Sequence, residues 1–151
     1  MYPLILAVHN ILRWVVVVLA IVALARAFRG WFGKRDWSQT DRKAGVFLSA
    51  ALDTQLLLGL ILYFGLSPIT RAAFSNIGAA MANADLRFFL LEHFLYMLLA
   101  VILVHVGLAT ARRAVDDTAK HRRGAIWFSL AVLALVLGMP WFRPLLPGLG
   151  G

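Results

Sequence analysis

Four runs of apolar residues separated by short polar stretches set the pattern of this chain, at about residues 4–28, 44–66, 86–110 and 124–139. A helix rising about 1.5 Å per residue needs roughly 20 apolar residues to cross the hydrocarbon of a bilayer. Each run therefore reads as one membrane-spanning helix. The first has no basic stretch ahead of it and is longer than a signal-peptide core, so it reads as a retained span. Between the first two runs lies a basic loop, Arg29–Lys43, with Trp31 and Trp37; Thr40 or Asp41 is placed to cap the next helix. Ser67-Pro68 closes the second span, with proline at the first position of the next segment. The stretch Ile69–Ala84 is too short and polar to cross. Its Phe74, Ile77 and Met81 recur at i, i+3, i+7 and predict a short helix lying in the interface. Asn83 or Asp85 can cap the third span.

A second basic turn, Ala111–Arg123, comes after that span, and in it His121 reads as part of a solvated face. Ala131, Ala134 and Gly138 form a small-residue stripe on the last span, which Pro140 ends; the tail from Trp141 to Gly151 reads as an interfacial anchor with a frayed end. These elements predict an all-α protein: an integral membrane up-and-down four-helix bundle with a short interfacial helix between spans two and three, forming a single transmembrane domain over residues 1–151.

Charge adds a direction. Arg26, Arg29, Lys34, Arg35, Arg42 and Lys43 flank the first turn, and Arg112, Arg113, Lys120, Arg122 and Arg123 the second; the other side holds only Arg71, Arg87 and Arg143. This bias places both basic turns in the cytoplasm and both termini outside, as in a multi-pass protein of a bacterial cytoplasmic (inner) membrane. The net charge of +8 lies at the ends of apolar runs. It reads as topology signals and contacts to the lipid bilayer, not as a nucleic-acid surface. The chain has no cysteine, which removes disulfides, iron–sulfur clusters, thiolate zinc sites and c-type haem attachment.

Ionisable residues inside the apolar runs carry the chemistry, because each costs a few kcal/mol in hydrocarbon unless it meets a partner. They are His9 and Arg13 in the first span, Asp53 in the second, and Glu92, His93 and His105 in the third. By helical rise, His9 and His93 each lie roughly 9 Å outward of the middle of their spans. Asp53 and His105 fall at similar depths in the inner half. Two level histidines can hold a haem iron from both sides, with Phe94, Met97, Leu98 and Ala100 lining the slot and Arg13 or Arg87 meeting the propionates. Glu92 is placed to orient a neighbouring histidine or balance Arg13. Asp53 with His105 suits a hydrogen-bonded pair, or part of a quinone or proton path. Three other readings stay open: polar residues that only lock helix packing in an accessory subunit, another metal site, and a metal or proton transporter.

The motifs H-N-x-L-R-W at 9–14, L-D-x-Q-L-L-L-G at 52–59 and L-R-F-F-x-x-E-H at 86–93 resemble a family of small bacterial four-span membrane proteins described as cytochrome b-like. The resemblance implies haem b, with His9 and His93 as metal ligands and His105 as a third candidate. It leaves the redox partner protein undefined. A quinone as electron donor or acceptor, and assembly into an oligomer, remain open.

Overall fold

The computed structural model describes residues 1–143. The rest of the tail, read from the sequence as a frayed anchor, lies outside the described residues. Four long helices form the protein: α1 (Tyr2–Phe32), α2 (Gln39–Leu66), α5 (Ala84–Arg112) and α6 (Asp117–Gly138), each long and apolar enough to cross a membrane. Between α2 and α5 run two short helices, α3 (Pro68–Ser75) and α4 (Ile77–Ala82), parted at Asn76, whose side chain caps α4. The expected single short helix is thus two. No strand occurs among the described residues.

The long helices close into a bundle in which each packs on its sequence neighbours and α6 returns to α1. Its interior is built largely from small residues. Ala20, Ala23 and Ala27 of α1, Ala100 of α5, and Ala125, Ala131 and Ala134 of α6 form one buried cluster with Leu48, Leu52, Val104 and Phe128. Small side chains let helix backbones approach closely, which is how association proceeds where no hydrophobic gain separates inside from outside. The large apolar residues point outward instead: Val18, Ile21, Leu57, Leu95, Ile102 and Leu133 are all exposed. A surface so apolar exceeds what a water-facing monomer tolerates.

Helix ends depart from the apolar runs in ways that matter. α2 begins at a capping box in which Ser38, not Thr40 or Asp41, is the cap. Asp41 sits at the third helical position and accepts from the Ser38 backbone N–H at 2.8 Å. Asn83 caps α5 by accepting from Leu86 N–H. Ser67 holds the cap position before Pro68, but its side chain makes no capping bond. α6 starts at Asp117, well before its apolar run, with Asp116 as cap. That early start puts His121 inside the helix on its inward face, where it is 1% exposed. The reading of His121 as part of a solvated face is therefore corrected. The ring centre lies 4.8 Å from that of Trp37, and the ring sits against Gly30, where any side chain would collide with it.

Candidate functional site

Two π-helical turns shape the end of the bundle opposite the basic turns. The last turn of α2, Leu62–Leu66, and the second turn of α5, Phe88–Glu92, each carry one residue more than an α-turn. Such turns disturb the regular backbone ladder and often mark functional sites. Here hydroxyls meet their carbonyls. Tyr63 Oη donates to Leu90 O at 2.6 Å, tying one π-turn to the other, and Thr70 Oγ1 donates to Tyr63 O at 2.8 Å. His93 comes directly after the second π-turn.

His9 of α1 and His93 of α5 come together, with ring centroids 6.4 Å apart and ring planes at 67°. His93 Nδ1 lies 2.7 Å from Gly138 O. A carbonyl only accepts, so Nδ1 carries the hydrogen and Nε2 keeps a free lone pair. The approach depends on Gly138: a Cβ there would sit 2.5 Å from Met97 Cε and 2.7 Å from Tyr96 Cβ. His9 is held through its backbone, whose carbonyl accepts from Gln55 Nε2 at 3.0 Å. Its Nδ1 is buried with no hydrogen-bond partner among the described residues.

Both histidines line two adjoining cavities and share their walls with Gly59 and Tyr63. The larger, about 270 Å³, adds Arg13, Asn10, Tyr2, Phe89 and Arg143. The smaller, about 50 Å³, is lined by apolar residues including Phe94 and Met97. Of the other expected slot residues, Ala100 is in the core and Leu98 lines neither cavity.

The remaining candidates divide. Arg13 is in the wall of the larger cavity, as expected from its spacing to His9. Glu92 meets neither Arg13 nor a histidine; it pairs with Arg87 at 2.9 Å, both side chains being well exposed. The extra residue of the π-turn breaks the simple helical placement that put Glu92 beside the site. Arg87 is thereby engaged outside the cavity, and Arg143, which the sequence pattern puts in the anchor, is the second cation in its wall. Gly138 was also missed, since a backbone carbonyl leaves no mark in a sequence; its place in a small-residue stripe was the available signal.

Asp53 and His105 form a second, separate cluster. Asp53 Oδ2 lies 3.4 Å from His105 Nε2, and Ser49 Oγ lies 3.3 Å from the same nitrogen. His105 Nδ1 lies 3.0 Å from Val101 O and must donate to it. Nε2 of a neutral ring would then turn a lone pair toward an ionised Asp53. Ser49 Oγ–H can donate to that nitrogen, so a hydroxyl and a carboxylate both face Nε2. Both side chains are about half exposed on the outside of the bundle, and neither lines the histidine cavities.

The fold and site together define a class: an apolar four-helix bundle with a histidine pair across a cavity at one end and a close Asp–His pair on its outer face. Comparison of the chain with family models, curated proteins and solved structures finds no match.

Proposed function

We propose that the chain is a membrane protein that binds b-type haem between His9 and His93 and passes electrons, exchanging them with quinol or quinone. The observation that carries this reading is the spacing of the two rings. Two iron–imidazole bonds of about 2 Å each place ligating nitrogens about 4 Å apart and ring centres about 6 Å apart. The 6.4 Å between the ring centres fits that spacing.

The residues present suit the group. Among the described residues no cluster of three or more His, Cys, Asp or Glu could hold a bare metal ion. Two protein ligands are what a macrocycle with four nitrogens of its own requires. His93 has its second nitrogen fixed by Gly138, the arrangement that orients metal-bound histidines. The buried, unpartnered His9 Nδ1 marks a ring whose bonding is incomplete in the protein alone. Gly59 lets the cavity reach His9, since a Cβ there would come to 3.4 Å from its Cε1. Arg13 and Arg143 supply cations for the propionates. Haem, when bound, supplies a one-electron iron couple. His9 and His93 would hold it, Arg13 and Arg143 would neutralise its carboxylates, and the apolar wall would exclude water.

Quinol exchange is supported by the outward face of Asp53 and His105. A quinol that delivers electrons must also shed protons, and this pair can take one where a lipid-soluble molecule would reach it. In the same reading the basic turns face the cytoplasm of a bacterial cell, the termini face out, and α3 and α4 lie in the outer interface.

Optical spectra of the purified protein test the proposal. Reduced-minus-oxidised bands of low-spin haem are expected. His9→Ala or His93→Ala should abolish or convert them, and His105→Ala should leave them largely intact. A colourless protein that takes up no added haem would overturn the reading in favour of a packing or transport role for the polar residues.

A further inference from the structure

The opposite end of the bundle holds a third cavity that the histidine site does not use. It measures about 280 Å³ and is lined by Arg26, Arg29, Arg35, Asp36, Asp41 and His121, with Gly30 and Ser38. Its charges are not evenly spent. Arg26 is bonded to Asp41 at 2.9 Å, and Asp41 is further engaged with Ser38. Arg29 and Arg35 have no ion pair among the described residues, and the Asp36 carboxylate has none either. Three arginines against two aspartates leave the cavity one charge positive, with two guanidinium groups available to a ligand. His121 closes its inner side. The ring is held between Trp37 and the bare backbone of Gly30, and its Nδ1 is buried without a hydrogen-bond partner among the described residues.

We infer that this cavity is a binding site for a phosphate-bearing anion, held by Arg29 and Arg35. Guanidinium groups are matched to phosphate oxygens because they offer paired N–H donors and keep their charge at any ordinary pH. The surroundings favour the phosphate of an anionic phospholipid over a free phosphate compound. Arg29 and Gly30 lie on the last turns of α1, past its apolar stretch Trp14–Ala25, next to the stacked rings of Phe28, Trp31 and Phe32. Phe32 is 71% exposed. Aromatic rings beside basic residues at the end of a spanning helix mark the headgroup level of a bilayer. The capped start of α2 adds nothing to the attraction, because Ser38 and Asp41 already fill it.

The test is binding of phosphatidylglycerol, phosphatidylcholine and inorganic phosphate to the full chain in detergent, followed by retained adducts in native mass spectrometry and by thermal shift. Phosphatidylglycerol should bind and phosphatidylcholine should not. The double variant R29Q/R35Q should bind phosphatidylglycerol about 30-fold more weakly, taking roughly 1 kcal/mol for each basic residue. R112Q/R113Q, basic but outside the cavity, should bind as the parent does. Asp36→Asn should bind more tightly, an outcome that impaired folding cannot imitate. Competition by millimolar inorganic phosphate would support the same site with a soluble source for its ligand. Equal binding of both lipids would overturn the inference, as would undiminished binding by R29Q/R35Q or an equal loss in R112Q/R113Q.

Discussion

Single residues at this bundle's two polar sites differ sharply in what they can be asked to do. Glu92 stands next to His93 in sequence yet bonds to Arg87 at an exposed position. Exposed ion pairs contribute little, so Glu92→Gln should cost less than about 1 kcal/mol and leave any haem bands in place. A thermal melt and a spectrum of the variant check both points. Asp53 and His105 are the opposite case, because each is the other's charged or polar neighbour at 3.4 Å. A double-mutant cycle with Asp53→Ala and His105→Ala should show a coupling of about 1 kcal/mol or more in detergent unfolding. Independent effects of the two substitutions would argue against the pairing.

At the level of helices, the four long elements were legible because a spanning helix must be apolar throughout, and that requirement is written residue by residue. The meeting of His9 and His93 was legible for a related reason, since depth comes from counting along two helices. What was not legible depended on backbone detail. The π-turn before His93 rotates the residues around it, so Glu92 falls away from the cavity while His93 faces it. His121 was misplaced because α6 begins in a polar segment, where hydrophobic pattern gives no sign of a helix, and because the hollow at Gly30 belongs to another helix. The link between the π-turns is itself testable. Tyr63→Phe removes the donor to Leu90 O and should destabilise the protein by about 1–2 kcal/mol. Gly138→Ala places a methyl against Met97 and Tyr96 and should cost about 1–3 kcal/mol. Both are read by thermal or denaturant unfolding, and the second should also weaken any spectral sign of His93 ligation.

Across the whole molecule, the flanks of the bundle are largely apolar, broken by the Asp53–His105 pair, and its two ends differ in charge. If the basic turns face the cytoplasm, a cysteine at Ser38 in intact cells should be shielded from an impermeant reagent added outside. A cysteine at Ser75 should react. The reverse pattern would invert the topology and exchange the sides assigned to the histidine cavity and the arginine cavity.

The small-residue core of the four long helices has a consequence for how such a protein is made. Ala20, Ala23, Ala27, Ala100, Ala125, Ala131 and Ala134 bring the backbones together along the middle of the bundle, and none of these alanines lines the histidine cavities. If haem binds as proposed, assembly therefore does not wait for it. On that reading, chains synthesised in cells starved of haem should accumulate as intact, helical and protease-resistant protein able to take up haem later, and should not be cleared as unfolded material.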